Sequence, residues 1–474
     1  MQFQNFLGGS ATMHTASQSA ETCINLYPEI SESPGAKNTL ALYGTPGLRR
    51  YALLLESYGV RGLFSAANGR VFVVCGRVLF EIFQGGSIII RGTLLSRTGA
   101  VSFAENALEL IIVDGTEAGY LFTLASNTFA VITDPNFDGG DRVVAIDGYF
   151  ILNRRGTDQF YISGLNDGST YDATAFSTAD ARPDRIVSLL EDHRELWVFG
   201  ERSIEPYFNS GNIDFPFERI QGTLIEQGCA AAQSPARFDN SVAWLGRNDQ
   251  GQGMVWRADG YTPIRISTHA VELAMQGYAR LDDAIGYTEQ REGHTWYVLS
   301  FPTGNATWVY DAASQLWHQR ASLNTQTGQF QVHLAHFHCV GFGLHLVGSP
   351  QSATVYSSEF TSFTDDTMPI LRERTAAYIH QDRRLLYHAL FELDMETGVG
   401  LQAGQGSLPQ IMMQFSDDSG HTWSHEQWAT AGAQGEYLRR AIWRRLGRSR
   451  QRAYRIRITD PVKVALVAAR IEVA

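Results

Sequence analysis

Short apolar runs alternate with glycine-bearing turns along most of the chain, a pattern typical of antiparallel β-structure. Val143–Ile146, for example, leads through Asp147-Gly148 into Tyr149–Leu152. Asp-Gly and Asn-Gly pairs favour tight hairpins because those turns require positive φ angles. The pattern predicts many short strands and no long helix. Ala270–Tyr278 is expected to form one short helical segment.

The strand-like runs fall into groups of similar length. Residues 283–320 hold four such runs separated by turn residues, which is the size of one propeller blade. Comparable first strands are expected near Leu63, Val101, Val143, Ile186, Val242, Ile285 and Val332. These groups predict a β-propeller of six or seven blades. A pair of β-sandwiches is the alternative that the pattern leaves open.

The texture of the chain changes twice, and the changes divide it into three parts. Residues 1–60 are polar and punctuated by glycine, proline and serine, which predicts an extended N-terminal arm with one or two short strands. Residues 61–365 are expected to form the propeller. After residue 365 the strand-like runs become longer, and Tyr454–Ile458 alternates apolar residues with arginine. Residues 366–474 are therefore predicted to form a β-sandwich-like platform domain, in an all-β protein.

Composition and charge narrow the class of protein. The chain has 474 residues, 44% of them hydrophobic, and a net charge of −11. An acidic chain is a poor candidate for tight DNA binding, which needs a basic surface to displace counterions. The four cysteines lie far apart and predict buried free thiols. The start of the chain lacks the features of a signal peptide, so the expected location is the cytoplasm.

Motif searches favour a protein that is not an enzyme. The sequence contains no P-loop, no HExxH, no GxSxG elbow and no CxxC. His333, His336, His338 and His345 form a histidine-dense segment with Cys339, and two of these histidines share one face of a strand. No carboxylate or second cysteine stands at a familiar metal-ligand spacing. We therefore expect no catalytic residue, no metal and no cofactor.

One short segment fits the Asp-box pattern S-x-D-x-G-x-T-W, in which the matching residues are Ser416, Asp418, Gly420, Thr422 and Trp423. In such a hairpin the aspartate accepts hydrogen bonds from turn amides, the glycine takes a positive φ, and the tryptophan packs beneath. Asp boxes also occur in sialidases. A carbohydrate-active or carbohydrate-binding propeller of the sialidase or tailspike kind is therefore the alternative function, although no catalytic carboxylate pair can be identified.

Arginine is concentrated near the C-terminus, with nine residues in a stretch of 19 that contains no acid. They are Arg439, Arg440, Arg444, Arg445, Arg448, Arg450, Arg452, Arg455 and Arg457. This arginine segment suits bidentate contacts with carboxylates of a neighbouring subunit or contacts with DNA phosphates. A solvated face is the third possibility. Interleaved apolar residues such as Trp443 and Ile456 indicate a packed segment, and we favour the subunit contact.

Both ends of the chain contain long, ordered motifs of a known family. Near the N-terminus they are Cys23–Glu29 and Leu42–Leu48, and in the C-terminal third, where the similarity is greater, they are Phe391–Gly400, Gln414–Ser424, Ile442–Arg450 and Asp460–Val462. These segments resemble the phage stabilisation protein family, the tail hub or nozzle proteins of short-tailed, podovirus-type bacteriophages, also called packaged-DNA stabilisation proteins. The middle of the chain is similar in length and β-texture.

The resemblance implies a ring, a hexamer, below the portal and its head-to-tail adaptor, with a channel that continues the DNA path. It implies contacts with a tail needle or plug and with tailspikes or tail fibres, and passage of DNA through the lumen without specific binding. The implied location is the virion tail, after assembly in the host bacterial cytoplasm. A head-to-tail ring uses two surfaces per subunit. We expect the arginine segment to supply one and acids such as Asp365 and Asp366 the other.

Overall fold

The protein is a β-propeller joined to a β-sandwich. The computed structural model describes residues 2–3, 5–33, 35, 37–182, 184–248, 250–382 and 384–474. Five strands precede the propeller, where the sequence predicted one or two. They are β1 (Ala11–Thr12), β2 (Ala20–Ile24), β3 (Leu26–Ile30), β4 (Leu40–Gly44) and β5 (Gly47–Leu53).

Seven blades follow, so the predicted all-β class and the upper of the two predicted blade numbers are confirmed. Each of the first five blades is a four-stranded antiparallel sheet of consecutive strands. Blade one comprises β6 (Val60–Ser65), β7 (Val71–Cys75), β8 (Val78–Ile82) and β9 (Ile88–Thr93). Blade two comprises β10 (Ser102–Glu105), β11 (Glu109–Val113), β12 (Gly119–Thr123) and β13 (Thr128–Val131). Blade three comprises β14 (Val143–Ile146), β15 (Tyr149–Asn153), β16 (Gln159–Gly164) and β17 (Asp167–Thr178).

The next blades have the same plan. Blade four comprises β18 (Ile186–Asp192), β19 (Glu195–Gly200), β20 (Ile204–Asn209) and β21 (Phe217–Arg219). Blade five comprises β22 (Ala236–Phe238), β23 (Ser241–Arg247), β24 (Gly253–Asp259) and β25 (Thr262–Arg265), followed by helix α1 (His269–Gln276). Blade six comprises β26 (Ile285–Arg291), β27 (His294–Phe301), β28 (Ala306–Asp311) and β29 (Trp317–Asn324), to which β30 (Gln329–Val332) pairs.

Blade seven is completed by the N-terminal arm. Its inner three strands are β31 (Phe337–Gly341), β32 (Leu344–Gly348) and β33 (Thr354–Glu359), and its fourth strand is β5. Strand β5 runs antiparallel to β33, with Leu53 opposite Thr354 and Gly47 opposite Glu359. The ring of blades is thus closed by hydrogen bonds between strands from distant parts of the chain, which protects its last edge.

The blades alternate their side chains between two interfaces. In β7, Val71 and Val73 pack against blade seven, whereas Phe72 and Val74 pack against blade two. Burial on both faces explains why such strands appear in the sequence as unbroken apolar runs. The predicted turn at Asp147-Gly148 has φ angles of 50° and 90°, as a two-residue hairpin turn with positive φ at both positions requires.

Two of the expected first strands were placed wrongly. Val242 lies on β23, the second strand of blade five, and Val332 lies on β30 at the edge of blade six. The true inner strands begin at Ala236 and Phe337. Strand β22 has only three residues, with Arg237 in the middle, and β31 carries a histidine and a glycine. Neither strand therefore stands out as an apolar run.

The C-terminal strands form the sandwich together with part of the arm. They are β34 (Thr364–Asp365), β35 (Met368–Pro369), β36 (Arg372–Thr375), β37 (Ile379–His380), β38 (Leu386–Met395), β39 (Gln410–Ser416), β40 (Gln427–Thr430), β41 (Ala441–Arg444), β42 (Arg448–Ser449), β43 (Gln451–Ile458) and β44 (Ala465–Val473). One sheet has the order β2-β36-β43-β39-β40 and the other β3-β4-β44-β38-β41. Phe391 and Trp443 of the second sheet meet Tyr454 and Ile456 of the first in one core.

The propeller and the sandwich share hydrogen-bonded strands. Strand β2 pairs with β29 of blade six at Ile24 and Gln319, and β34 pairs with β5 at Asp365 and Leu48. Between β2 and β3 the chain crosses from one sandwich sheet to the other at Asn25, which has a φ of 55°. The arm therefore belongs structurally to both regions. The predicted division of the chain at residues 60 and 365 stays a prediction.

Two general properties follow from this fold. The seven inner strands β6, β10, β14, β18, β22, β26 and β31, with the residues just before them, line a central cavity of about 690 Å³. In the described part of the chain, no helix is long and apolar enough to cross a membrane.

Replacing Asn25 with alanine should destabilise the protein by about 3 kcal/mol or more. The buried Asn25 amide donates to the carbonyls of Ala321 (2.8 Å) and Leu371 (2.9 Å), and its oxygen accepts from the Ala321 amide (2.8 Å). Alanine would leave these main-chain groups unpaired in the interior. Urea denaturation of both proteins measures the change in unfolding free energy.

Asn166→Ala is the matched control for this prediction. Asn166 has a φ of 54° and an exposed side chain, so its replacement tests the cost of alanine in a left-handed backbone alone. We expect that cost to be about 1–2 kcal/mol. Equal losses in the two variants would show that the hydrogen bonds of Asn25 contribute nothing.

Candidate subunit-contact surface

The arginine segment runs through β41, β42 and β43, and its residues divide into two groups. Strand β43 is central in its sheet, between β36 and β39, so alternate residues point into the sandwich core and away from it. Strand β41 is the edge strand of the other sheet, next to β38. Arginines of β43 therefore meet neighbours on both sides, whereas those of β41 and the turns around it reach the surface.

Arg452 is a structural residue of the sandwich interior. Its Nε and Nη2 donate to the two carboxylate oxygens of Asp417 at 2.6 and 2.7 Å, and its Nη1 donates to the carbonyl of Leu446 at 2.5 Å. The guanidinium lies over the ring of Phe415, 3.9 Å from its centre. Only 2% of the side chain is exposed. This residue joins β43 to the Asp-box hairpin and to the turn after β41.

Three more arginines are held within the chain. Arg440 forms a bidentate pair with Glu392 at 2.7 and 2.8 Å, and Arg457 donates to Glu373 at 2.7 Å. Arg455 donates to the side-chain oxygen of Gln414, and its guanidinium lies 3.9 Å from the centre of the Trp423 ring. Burial lowers the pKa of Arg455 to about 10. These contacts make Arg440, Arg455 and Arg457 poor candidates for binding a second molecule.

The remaining residues of the segment are exposed. Arg439, Arg444, Arg445 and Arg448 form no ion pair with any carboxylate in the described part of the chain. Arg450 is exposed too. Arg444 is the last residue of the edge strand β41, and the next residue, Arg445, turns away with a φ of 59° while its amide bonds the carbonyl of Ala389 at 3.0 Å.

Exposed apolar side chains accompany these arginines, and sequence reasoning missed them. Trp428 is 58% exposed, Tyr437 is 71% exposed and Leu438 is 96% exposed. Strand β40, which carries Trp428, lies beside β41, because the indole of Trp443 donates to the carbonyl of Gln427 at 2.9 Å. We call Trp428, Tyr437, Leu438, Arg439, Arg444, Arg445 and Arg448 the edge surface. Tyrosine, tryptophan and arginine are the residues enriched at the centres of protein interfaces.

The Asp box forms the turn between β39 and β40 in the sandwich. Asp418 accepts from the Thr422 amide (2.8 Å), the Thr422 hydroxyl (2.6 Å) and the Ser416 hydroxyl (2.8 Å), and the Gly420 amide donates to the Ser416 hydroxyl (2.8 Å). These bonds, chiefly those from Thr422, lower the pKa of Asp418 to about 2. Gly420 has a φ of 84°. The carboxylate is fully used by its own turn, which favours a structural role.

The histidine-dense segment lies between blades six and seven, where His336 and His338 line the central cavity and His333 faces Asp365 near the sandwich. His338 and His345 stack on neighbouring strands with their ring nitrogens 3.0 Å apart, and Nε2 of His333 is 4.0 Å from an oxygen of Asp365. Across the described residues, no three His, Cys, Asp or Glu side chains come together to hold a metal ion. All four cysteines are free, three of them buried and Cys339 half-buried.

Burial changes the titration of this region. It lowers the pKa of His318, His333 and His338 to about 3 and that of His336 and His345 to about 4, helped in several cases by nearby arginine charges. These five residues are the histidine cluster. Burial also raises the pKa of Asp365 to about 7.

The expectation that Asp365 and Asp366 supply an acidic contact surface is wrong for Asp365. That side chain is 3% exposed, because β34 pairs with β5 inside the junction of the two regions. Asp366 lies nearer the surface but pairs with Arg50 at 2.5 Å. The sequence suggested an exposed acidic pair because β34, with only two residues, is too short to show the alternation of apolar and polar residues that marks a strand.

The fold and this surface define the class of protein, a seven-bladed β-propeller with a β-sandwich built onto its closing strands. Family models agree with that division. One described as the β-propeller of bacteriophage P22 Gp10 matches residues 2–362, and one described as its β-sandwich matches residues 371–474. The chain belongs to the phage stabilisation protein family, and is a structural, hub-type protein of the bacteriophage tail. The resemblance noted in the sequence is confirmed.

Other comparisons add little. A search of curated proteins finds no match. Among solved structures, the crystal structure of the N-terminal domain of Nup159 is similar with a TM-score of 0.42 and 9% sequence identity, covering 71% of this chain and 98% of that chain.

Arg452→Ala should lower the unfolding free energy by about 3 kcal/mol, because it leaves the buried Leu446 carbonyl without its donor, removes the pair with Asp417 and leaves unfilled space beside Phe415. Arg448→Ala, on the exposed edge surface, should change it by no more than about 0.5 kcal/mol. Urea denaturation of the two variants compares them. Similar losses would mean that the division of the arginines into structural and exposed groups is incorrect.

Acid should destabilise the fold over a defined range. Below a pH of about 6.5 the unfolded chain protonates its histidines, whereas the histidine cluster stays neutral in the folded protein. The unfolding free energy should therefore fall between pH 6.5 and about 4, by about 1.4 kcal/mol per pH unit for each histidine. Asp365 has the opposite effect, because its raised pKa makes the folded protein bind a proton that the unfolded chain does not bind in this range.

Denaturation in urea at several pH values measures that slope. His318→Phe removes one titrating group from the interior, where neither ring nitrogen has a hydrogen-bond partner, and should reduce the slope by about one proton. An unfolding free energy that does not depend on pH in this range would exclude a neutral histidine cluster.

Proposed function

We propose that the protein is the hub, or nozzle, of a short phage tail. In this proposal copies of the chain form a ring, a hexamer, below the portal and its head-to-tail adaptor. The ring continues the DNA channel, retains the packaged genome, and mounts the tail needle or plug and the tailspikes or fibres. Assembly takes place in the host cytoplasm. The observation that carries the proposal is membership of the family along nearly the whole chain.

The edge surface supports the ring. It combines four exposed arginines with three exposed apolar side chains along the sandwich edge formed by β40 and β41. Exposed aromatic side chains interspersed with arginines suit a contact with carboxylates on a neighbouring subunit. The chain contains 49 acidic residues against 38 lysines and arginines, so a second copy carries an excess of acids with which these arginines could pair. Such a contact joins unlike surfaces, the type of interface that forms a ring when the rotation between neighbouring subunits closes.

The same net charge supports a conduit that DNA passes without specific binding. A wall of like charge repels the phosphate backbone, so DNA can slide without adhering. The carbohydrate-active alternative has less support, because the Asp box lies in the sandwich and its carboxylate is occupied by the turn. An enzymatic role is not part of the proposal.

Reversing two charges on the edge surface tests the ring. Arg444→Glu with Arg445→Glu should abolish assembly on the adaptor, because acids would then face acids, while the monomer stays folded. Mass photometry or electron microscopy of the protein mixed with its adaptor measures ring formation. Wild-type protein that stays monomeric beside its adaptor would count against the hub.

The matched control is Arg49→Glu with Arg97→Glu, which reverses the same number of exposed arginines on the propeller. These changes should leave ring assembly intact. A filter-binding titration with DNA runs in parallel. Lost DNA affinity with intact rings in the Arg444/Arg445 variant would assign the edge surface to DNA instead of to a subunit contact.

A further inference from the structure

The central cavity of the propeller collects residues from the same end of several blades. Each of the first five blades has four antiparallel strands, so the chain returns to its starting end before the next inner strand begins. Residues just before the inner strands therefore lie together at one end of the central cavity of the propeller, which we call the channel mouth. Arg142 precedes β14, Gln233 precedes β22, and His336 precedes β31, and all three line the cavity. A parallel bridge between Gln233 and Ile285 agrees with this common direction.

Arg142 reaches across this mouth. Its Nη1 donates to the side-chain oxygen of Gln233 at 2.6 Å, which fixes the guanidinium plane. Its Nε is buried and has no hydrogen-bond partner, and no carboxylate in the described ranges of the chain pairs with it. Burial lowers the pKa of Arg142 to about 10. A buried cation normally has a carboxylate partner, because an unpaired one loses much of its hydration energy.

Other charged groups near the inner strands have at least one partner within the protein, and one carboxylate oxygen of Glu105 is buried without a hydrogen bond. Arg61 of blade one donates to four main-chain carbonyls. Glu191 pairs with Arg237, and Glu105 accepts from a main-chain amide. Both acids lie near the far ends of their inner strands, away from the mouth that holds Arg142. His336 adds no charge at neutral pH, because burial lowers its pKa to about 4.

The Nε side of an arginine is the edge that this protein uses elsewhere to bind carboxylates. Arg70 holds Glu81 through Nε and Nη2, both at 2.7 Å, and Arg440 holds Glu392 in the same way. Arg142 lines the central cavity, and Gln233 bonds its Nη1, on the side of the guanidinium opposite the Nε edge. Such an edge fits two oxygens of one planar or tetrahedral anion.

We propose that the channel mouth binds a small oxyanion, a carboxylate or a phosphate, on the Nε edge of Arg142, with Gln233 holding the guanidinium in place. The cavity of about 690 Å³ has room for such an anion and its hydration. The site lies within one chain, so it does not depend on the proposed ring.

Titration calorimetry of the purified full chain with inorganic phosphate and with acetate, against chloride buffers of equal ionic strength, tests the site. We expect binding of at least one of the two, and its preference distinguishes a phosphate site from a carboxylate site. Arg142→Gln should weaken that binding at least about tenfold, since it removes charge-assisted hydrogen bonds. Arg142→Lys keeps the charge without the fork and should bind with intermediate affinity.

Arg49→Gln is the matched control, because it removes one positive charge from the exposed face of β5, the outermost strand of blade seven. Its affinity should equal that of the wild type. If Arg142→Gln does not fold, Gln233→Leu takes its place, since it keeps the arginine but releases the guanidinium, and should also weaken binding. Wild-type protein that binds neither anion, or equal affinity in the wild type and the folded channel variants, would overturn the proposal.

Discussion

The two halves of this protein meet at one buried side chain, Asn25, whose hydrogen bonds join main-chain groups of both. At this residue the chain leaves one sandwich sheet and enters the other, while its amide bonds the outer strand of blade six. Main-chain groups at such a crossing have no sheet neighbour of their own, and leaving them unpaired in the interior is costly. Asparagine tolerates the left-handed backbone there and supplies both a donor and an acceptor. These bonds add to the shared strands that join the propeller to the sandwich.

Arginines in the interior of the sandwich and arginines at its exposed edge have different surroundings. Where arginine lies between sheets, as Arg452 does, its donors are paired with a carboxylate and a carbonyl and its face with an aromatic ring. At the edge strand, Arg439, Arg444, Arg445 and Arg448 form no ion pair with a carboxylate of the described residues, and tryptophan, tyrosine and leucine are exposed on the same surface. The first arrangement fixes the shape of the sandwich. The second leaves cationic and apolar surface that favours contact with another molecule.

Much of this architecture could be predicted from the sequence, for physical reasons that differ between its parts. The hairpin at Asp147-Gly148 and the all-apolar strand Val71–Cys75 are local signals, and repeated signals of this kind predict the propeller. The Asp-box turn is equally local. The closing strand β5 could not be found in this way, because its partner β33 lies about 300 positions later and no short-range pattern records that pairing.

The roles of the individual arginines in the arginine segment could not be predicted from local sequence either. Its composition identified nine candidate residues, but their division depends on which strand is central and which is an edge, and that is a property of the assembled sheets. Burial of Asp365 was missed for the same reason. Leu438 and Tyr437 carried a usable signal, two large apolar residues in an otherwise polar loop.

Closure of blade seven by β5 has a consequence for how the protein is made. The hydrogen bond from Ser357 to the carbonyl of Arg49 joins residues 308 positions apart in the chain. While the ribosome is still translating the middle blades, the N-terminal arm has no strand to pair with, and the ring of blades stays open at that edge. Contacts of such high sequence separation form late and slowly. A chain that ends before β33 therefore cannot complete the propeller, even when it contains all of the first six blades.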